Sequence, residues 1–407
     1  MTVYRVFSKK QNRSLSPNCK MRILYGYTNC TNRKYNEIFE GKRSFALLAD
    51  QKYHSLLIKG LSENGADILC VSGLPLNREV TKKLFISEPD EREDGVFYHY
   101  LRSINLPILR QLCIYFGTKR FVAKEAREDT VLLCDCLNIA NAYGMLKAAK
   151  RKKLPLVFIV TDIPEFQRGG FLKKINDKII AGADGFVLLT RQMSDKINPE
   201  NKPFIVVEGQ SDASLEAATD GERYEYVDGK KVVIYAGSIL KLYGIQNLVE
   251  GFVKADIPNA ELRVYGDGDY RDELTELCKT HGNVKYMGVK PNAEIVEDER
   301  RAALLVNPRP TAPEYTKYSF PSKNMEYMAS GTPVMTTALP GMPDEYRPHV
   351  WVIDDETPDG VAEKLKEFFA QSPEERYAKG DGARRFVLEN KSNVKQAEKI
   401  LGFMKNL

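Results

Sequence analysis

The sequence predicts an α/β protein with two domains, each a doubly wound parallel sheet, that face each other across a cleft. Its 407 residues are too many for one ordinary hydrophobic core. Short apolar runs alternate with helical patterns in both halves, which is typical of parallel sheets. A polar stretch over residues 208–230, rich in glycine and aspartate, separates the halves. We therefore expect an N-terminal domain over residues 21–210 and a C-terminal domain over residues 211–390.

The two ends of the chain differ from these domains. Residues 1–20 are polar and basic without periodicity, which predicts an N-terminal arm. Residues 391–407 predict a helix that packs back on the N-terminal domain. The N-terminus lacks the apolar core of a signal peptide, and no apolar run approaches the roughly 18 residues that a membrane span requires. Together with seven scattered cysteines, this favours a cytoplasmic protein with free thiols.

The charge is divided unevenly between the halves. Residues 1–210 contain 34 Lys and Arg against 22 Asp and Glu, whereas residues 211–407 contain 26 against 33. A basic first half indicates an anionic partner, such as the phospholipid surface at the inner face of the plasma membrane or a phosphorylated acceptor. A solvated lysine surface explains the same numbers, and the sequence leaves both open.

The first half begins with a buried strand over residues 21–27, in which Gly26 suits a tight turn. A helix near residues 46–64 follows. Further apolar runs predict strands over 66–72, 96–100, 130–136, 156–161 and 185–189.

Asp162 follows the predicted strand 156–161, at the carboxyl edge of a parallel sheet, where such folds bind ligands. This makes it a candidate site residue, although it would also cap a turn before Pro164. The next segment, residues 167–180, predicts an amphipathic basic helix. It suits an anionic membrane surface, but a core-facing apolar stripe with solvated lysines is the commoner explanation.

The second half again alternates strand and helix. Strands are predicted over 231–237, 262–265, 284–287, 304–307, 334–337 and 350–353, and long helical stretches close the chain from residue 361.

In this half, several candidate binding residues lie on a predicted helix near residues 321–331. Ser319 is a plausible N-cap, Pro321 fits the first turn, and Gly331 ends the helix. Helical spacing puts Ser322, Lys323 and Glu326 on one face, and apolar residues on the other. Free N–H groups and a lysine at a helix start attract phosphate, and a carboxylate one turn further binds sugar hydroxyls. The segment outlines a nucleotide-sugar site; an ordinary buried helix is the alternative.

Five segments of the second half carry a family resemblance when their order and spacing are taken together. They are residues 235–245, 262–269, 283–289, 305–310 and Phe320-Pro-Ser-Lys-Asn-Met-Glu-Tyr-Met-Ala-Ser-Gly-Thr-Pro-Val. Over roughly residues 231–390 the chain resembles the donor domain of retaining glycosyltransferases of family 4. These enzymes have the GT-B fold, and the strongest likeness is to those of bacterial surface-polysaccharide assembly. The resemblance implies two Rossmann-like domains and transfer of a hexose to a glycan or lipid-linked acceptor.

The resemblance also implies roles for individual residues. Glu326 matches the second glutamate of the family's paired-glutamate motif, which binds the ribose diol. Met287 lies where the family's backbone contacts the base. By residue type, Gly237 opens a turn where backbone can approach the diphosphate, and Gly266 shapes another loop at the sheet edge. Gly26 and Tyr27 are assigned to the acceptor side, and Asp162 orients the acceptor hydroxyl or the donor sugar.

Three departures from the family pattern concern the donor sugar and its phosphates. The first glutamate falls on Tyr318, and the phosphate-binding Arg and Lys fall on Ser238 and Tyr243. We therefore expect Lys323, Arg309 and Lys241 to supply the missing positive charge beside the diphosphate. On this interpretation Asp162, Tyr318 and Lys323 are the catalytic candidates.

The resulting prediction is a metal-independent glycosyltransferase without a cofactor. Its co-substrate is a nucleoside-diphosphate sugar, with UDP or GDP as the carrier, and no nucleic acid is involved. Two other functions remain open: a nucleotide-sugar epimerase, and a non-catalytic GT-B partner of another transferase. A dinucleotide-dependent dehydrogenase is disfavoured because no Gly-x-Gly-x-x-Gly follows the first strand.

Overall fold

The computed structural model describes residues 20–39, 45–163, 171–216 and 229–407. The predicted N-terminal arm therefore lies almost entirely outside the described residues, as does the start of the predicted basic helix. The strands are β1 Arg22–Gly26, β2 Asp67–Ser72, β3 Phe85–Ile86, β4 Glu91–Glu93, β5 Val96–Tyr100, β6 Ser103–Ile104, β7 Thr130–Asp135, β8 Leu156–Val160, β9 Gly185–Leu188, β10 Phe204–Val206, β11 Lys231–Ala236, β12 Ala260–Tyr265, β13 Val284–Gly288, β14 Leu304–Asn307, β15 Val334–Thr337 and β16 Trp351–Ile353.

Helices alternate with these strands along most of the chain. They are α1 Asn32–Phe39, α2 Phe45–Glu63, α3 Pro107–Glu125, α4 Ile139–Lys152, α5 Phe171–Ala181, α6 Met193–Ile197, α7 Ile245–Ala255, α8 Arg271–Thr280, α9 Asn292–Arg300, α10 Ser322–Ser330, α11 Pro358–Ala370, α12 Pro373–Lys391 and α13 Asn393–Met404. Across the described ranges, none of these helices combines the length and apolar character needed to span a bilayer.

The chain divides into two compact units. The first contains Met1–Gln210 and Asn393–Leu407, and the second contains Ser211–Ser392. Within the first unit, α13 packs against α2: a Cβ added to Gly60 would lie 2.2 Å from the carbonyl oxygen of Asn393. The Asn64 side chain also donates to the carbonyl of Val394, at 2.9 Å.

The first unit is built on a sheet with the strand order β10-β9-β8-β7-β1-β2-β5-β4. Its strands are parallel except for the edge strand β4, which pairs antiparallel with β5. The central strands are buried on both faces because helices cover both sides of the sheet, and this explains why they read as continuous apolar runs. The short strands β3, β4, β6 and β10 were not predicted, because two or three residues are too few to show a pattern.

The second unit has the sheet order β13-β12-β11-β14-β15-β16, and each strand runs parallel to its neighbours. Its core lies between the sheet and flanking helices that include α7 and α11, where Leu248, Phe252 and Leu365 are fully buried. The predicted α/β class, with two parallel-sheet domains, is confirmed.

The start of α10 differs from the prediction. The helix begins at Ser322, and the capping position is Pro321, whose side chain has no polar atom to accept a hydrogen bond from the first turn. Ser319 is not the N-cap, because its hydroxyl is buried and has no hydrogen-bond partner among the described residues. Gly331 ends the helix in the left-handed conformation (φ +81°), as predicted.

Candidate functional site

The strand order of the second sheet locates a crevice at its carboxyl edge. From β11 the chain adds β12 and β13 on one side, and β14, β15 and β16 on the other. Such a reversal point between neighbouring strands, here β11 and β14, is where open α/β sheets bind ligands. The loops that leave these two strands carry Gly237, Ser238 and Arg309, all of which are predicted site residues.

The loop after β11 is held against the loop after β12 by their backbones. Gly237 N–H donates to the carbonyl of Tyr265 at 3.0 Å, and Ile239 N–H donates to that of Asp267 at 2.9 Å. A Cβ on Gly266, which has φ +131°, would lie 1.8 Å from the Gly237 oxygen. Gly266 is therefore required by the contact between the two loops. At Gly237 the atom nearest to an added Cβ would be the Tyr235 hydroxyl oxygen, at 3.3 Å, so this turn is less crowded than the one at Gly266.

Arg309, in the loop after β14, lies on the loop after β11. Its guanidinium carbon is 4.3 Å from the centre of the Tyr243 ring, at a distance typical of a cation–π contact. Within the described part of the chain, the buried Nε of Arg309 has no hydrogen-bond acceptor. Tyr243 occupies the position where the family pattern has a lysine. The structure therefore places a cation from β14 on the aromatic residue that replaces the expected cation.

Helix α10 has one packing face and one polar face, as predicted. Met325 and Met328 are buried, while Ser322 is exposed and Lys323 and Glu326 are half-buried. The Lys323 ammonium is 2.8 Å from the Glu326 carboxylate. Burial alone lowers the pKa of Lys323, but Glu326 and the nearby carboxylate of Glu299 outweigh it, so the pKa is raised. The charge on Lys323 is thus already shared with two acids.

Tyr327 joins α10 to the end of β11. Its hydroxyl accepts from the Ala236 N–H at 2.9 Å and donates to the Ala236 carbonyl at 3.2 Å. The side chain is 1% exposed. This contact fixes the polar face of α10 relative to the loop that begins at Gly237.

Other predicted donor-side residues have different surroundings. Lys241 is exposed, its ammonium pairs with Glu273 at 2.5 Å, and it lies in a short 3-10 helix, Lys241–Tyr243. Tyr318 is 7% exposed at the end of another, Glu314–Tyr318. Met287 lies half-buried in β13, and Ser238 is exposed. The Ser238 carbonyl accepts from the Tyr235 hydroxyl at 2.7 Å.

The first sheet also reverses, between β1 and β7, and Gly26 and Tyr27 lie at the end of β1. Gly26 does not have the positive φ of a tight turn; a Cβ there would lie 2.7 Å from the Met145 methyl, so the residue permits close packing. Tyr27 is 8% exposed and stacks on His54, with ring centres 3.6 Å apart. The expectation of a tight turn at Gly26 is therefore wrong, because Gly26 is still part of strand β1.

Asp135 connects this stacked pair to β7. Its carboxylate is 3.5 Å from His54 Nε2, and it accepts from the Thr161 hydroxyl at 3.3 Å. His54 also forms a hydrogen bond with the hydroxyl of Tyr25. Asp162, half-buried after β8, accepts from the Ile163 N–H at 2.7 Å, as a turn residue would. The first unit thus has a buried polar network beneath the carboxyl edge where Asp162 lies.

Sequence reasoning missed Glu299, Tyr327, His54 and Asp135. All are buried, and each lies in a segment whose pattern is explained by ordinary packing. Asp135 does directly follow an apolar run, the same signal that drew attention to Asp162. The other positions have no such signal.

Residues 219–404 match the family model described as glycosyl transferases group 1. An uncharacterized glycosyltransferase of Methanocaldococcus jannaschii, MJ1607, is 28% identical over 142 residues. That alignment spans 33% of this chain and 35% of the relative's length, so it relates only part of the two proteins.

Solved structures share the fold over nearly the whole chain. A sucrose-phosphate synthase from Thermosynechococcus elongatus has a TM-score of 0.67 at 13% identity, covering 95% of this chain and 99% of its own. Anabaena Alr3699/HepE in complex with UDP has a TM-score of 0.64 at 14% identity, covering 95% and 100%. The lipopolysaccharide outer core galactosyltransferase WaaB has a TM-score of 0.61 at 14% identity, covering 95% and 99%. Residues 219–404 therefore match the glycosyl transferases group 1 model, and the chain as a whole shares the fold of these solved structures.

Proposed function

We propose that this protein transfers a hexose from a nucleoside-diphosphate sugar to a hydroxyl of a glycan or lipid-linked acceptor, with retention, in bacterial polysaccharide synthesis. The observation that carries the proposal is the position of Arg309, stacked on Tyr243 beside the reversal point of the second sheet. A guanidinium with a free buried Nε at that edge suits a diphosphate, which it binds through charge-assisted hydrogen bonds.

In the proposed reaction the bond between the anomeric carbon and the diphosphate oxygen breaks, and a bond from the acceptor oxygen to that carbon forms. The nucleoside diphosphate leaves with the bonding electron pair, and the acceptor hydroxyl passes its proton to an oxygen of the departing diphosphate. Negative charge therefore grows on the diphosphate, and Arg309 together with the N-terminus of α10 stabilises it. No metal ion is required for this step in the proposal.

In this proposal, Lys323 and Glu326 do not simply bind the phosphate and the ribose, respectively. Because Lys323 pairs with Glu326 at 2.8 Å, we assign Glu326 to the ribose diol and Lys323 to holding that carboxylate in place. Lys241 is assigned a lesser part, since its ammonium already pairs with Glu273.

Support for a uridine carrier comes from a fold neighbour. The Anabaena protein HepE has been solved with UDP, with UDP and glucose, and with UDP-glucose. We therefore take UDP, then GDP, as the first carriers to test. Asp162 is assigned to the acceptor or donor sugar, and the basic first half to peripheral contact with an anionic membrane.

The first experiment is thermal stabilisation by UDP, GDP, ADP, TDP and CMP, each with magnesium and with a chelator, on the parent and on Glu326→Ala. Selective stabilisation by one diphosphate that persists in chelator and disappears in the variant is the expected result. Stabilisation that requires magnesium contradicts the metal-independent mechanism, and no stabilisation at all favours the non-catalytic partner.

Measurements of turnover distinguish a transferase from the remaining alternative, an epimerase. With the matching nucleotide sugar, a transferase releases nucleoside diphosphate faster when a glycan or lipid-linked acceptor is added, and the product is an α- or β-glycoside with the donor's configuration. Conversion of the donor sugar into its epimer, with the diphosphate bond intact, identifies an epimerase and overturns the proposal.

A further inference from the structure

An apolar ridge projects from the first unit, formed by α3 and the segment that precedes it. Ile108 is 76% exposed and Phe85 is 69% exposed, values unusual for large apolar side chains. The ridge consists of Leu84, Phe85, Ile108, Leu109, Leu112 and Phe116. These residues supply most of the large hydrophobic side chains that are exposed in the described ranges.

The ridge is continuous because of local geometry. Ile108, Leu112 and Phe116 are spaced four residues apart and share one face of α3. Phe85 lies in β3, which pairs with β6 just before α3 begins, and the Leu84 carbonyl accepts from the Asn105 N–H at 2.7 Å. Strand alternation turns Ile86 inward, at 4% exposed, and Phe85 outward.

Helix α3 is therefore apolar on two faces. Its core face contains Ile114, Phe121 and Val122, which are buried in the first unit. Core packing explains that face but not the ridge, so the ridge is suited to a second apolar environment.

Aromatic and basic side chains border the ridge. Tyr115 and Tyr143 are half-exposed and stack, with ring centres 5.6 Å apart. The Lys119 ammonium lies 5.8 Å from the Phe116 ring centre, and that of Lys147 lies 5.0 Å from the Tyr143 ring centre. Tyrosines and long basic side chains around an apolar surface are typical of the boundary between lipid headgroups and acyl chains.

The two helices at the ridge, α3 and α4, are predominantly basic. Helix α4, which packs on α3, contains four basic residues and no acidic ones. The one acid of α3, Glu125, pairs with Arg22 and Lys124. A second copy of this chain would bring two positive rims together, whereas an anionic membrane complements the rim.

We propose that this ridge and its basic rim are a docking surface for an anionic phospholipid membrane, with the ridge inserted among the acyl chains and the lysines at the headgroups. The surface lies in the first unit and rests on the membrane contact included in the proposed function, whereas the vesicle measurements that test it do not depend on the proposed reaction.

The test is co-sedimentation of the full-length protein with phosphatidylglycerol-rich vesicles and with pure phosphatidylcholine vesicles. We expect binding to the anionic vesicles, which weakens at high salt, and about tenfold or greater loss of partitioning in Ile108→Ser/Phe116→Ser. Leu242→Ser is the matched control, because Leu242 is 53% exposed but lies in the second unit. Thermal melts establish that all variants are folded.

A second measurement gives a positive signal at the surface. In Ile108→Trp, vesicles with brominated acyl chains should quench the new tryptophan, whereas the native Trp351 is buried in the second unit at 5% exposed and should not respond. Absence of anionic-vesicle binding, or equal binding by parent and the double variant, overturns the proposal. The proposal is also overturned if the parent protein does not bind vesicles and instead forms a dimer in analytical ultracentrifugation that the double substitution dissociates.

Discussion

The guanidinium of Arg309 lies 4.3 Å from the centre of the Tyr243 ring, although the two residues follow different strands of the second sheet. The stack holds a cation beside the reversal point of the sheet. Among the described residues, no acidic side chain contacts this cation to neutralise it. In the proposed function, this arrangement compensates for the lysine that the family pattern places at the position of Tyr243.

Replacing Arg309 should weaken diphosphate binding and turnover. We expect Arg309→Ala to lower nucleoside-diphosphate affinity about tenfold and turnover about a hundredfold, because developing charge on the leaving group loses its cation. Calorimetry and initial rates measure the two effects. Arg309→Lys should recover part of the turnover, and Tyr243→Phe, which keeps the ring, should resemble the parent. Unchanged turnover in Arg309→Ala would contradict the assignment.

Glu326 should distinguish ribose from deoxyribose. A carboxylate bound to both ribose hydroxyls loses one charge-assisted hydrogen bond to a 2′-deoxy carrier, so the parent should prefer the ribo form about tenfold. In Glu326→Gln this preference should shrink to a few-fold or less. The measurement is the dissociation constant of each carrier for both proteins. Equal discrimination by parent and variant would exclude contact between Glu326 and the diol.

Lys323 should matter more for stability than an exposed lysine in a similar pair. Lys323→Met leaves Glu326 and Glu299 without their shared cation, and we expect it to lower the free energy of unfolding by about 1–3 kcal/mol. Lys290→Met is the control, because Lys290 and Glu294 are exposed and 3.9 Å apart, and its cost should stay below about 1 kcal/mol. Denaturant unfolding measures both. If Lys323→Met instead keeps full stability but loses diphosphate affinity, Lys323 is a phosphate ligand.

Two glycines at the carboxyl edge should respond differently to alanine. Gly266→Ala forces a Cβ within 1.8 Å of the Gly237 oxygen, and separating the loops should cost about 3 kcal/mol or more. Gly288 also has a positive φ, +68°, but no atom lies within 4 Å of its added Cβ in the described structure, so Gly288→Ala should cost only about 1 kcal/mol. Equal losses in thermal unfolding would show that backbone conformation alone, and not the loop contact, requires Gly266.

His349 should make the second unit less stable in mild acid. Its ring stacks on Phe386, with centres 4.4 Å apart, and desolvation and then Lys379 lower its pKa below 6.5. The folded protein therefore binds this proton less tightly than the unfolded chain does. Stability contributed by the neutral ring is present above pH 6.5 and is lost as the pH falls through the folded pKa. Denaturant unfolding at a series of pH values should show a shallower acid loss in His349→Gln; identical slopes would contradict the prediction.

Much of the fold was predictable because it follows from local patterns. Buried parallel strands appear as apolar runs, and the predicted runs coincide with β1, β2 and β5 in the first sheet and with β11, β14 and β15 in the second. The short strands β4 and β10 were missed, because their pairing depends on neighbours that are already in place.

The candidate site was predictable only in part. The polar face of α10 follows from helical spacing, so Ser322, Lys323 and Glu326 could be grouped from the sequence. The partners of these residues could not, since Glu299 reaches Lys323 from another helix. The role of Gly26 was misinterpreted, because a glycine required for close packing on Met145 looks the same in a sequence as a glycine required for a turn.

The amino-acid sequence by itself determined the α/β class, the helix with Ser322, Lys323 and Glu326 on one face, and the likeness to GT-B glycosyltransferases. The reason is that the spacing of apolar residues, the residues that begin and end helices, and the placement of glycines are properties of short segments. Only the tertiary structure decided which side chains meet. The order of strands in the second sheet puts β14 beside β11 and so brings Arg309 onto Tyr243. The packing of α3 against the core leaves its second apolar face exposed, and no local pattern distinguishes that face from the buried one.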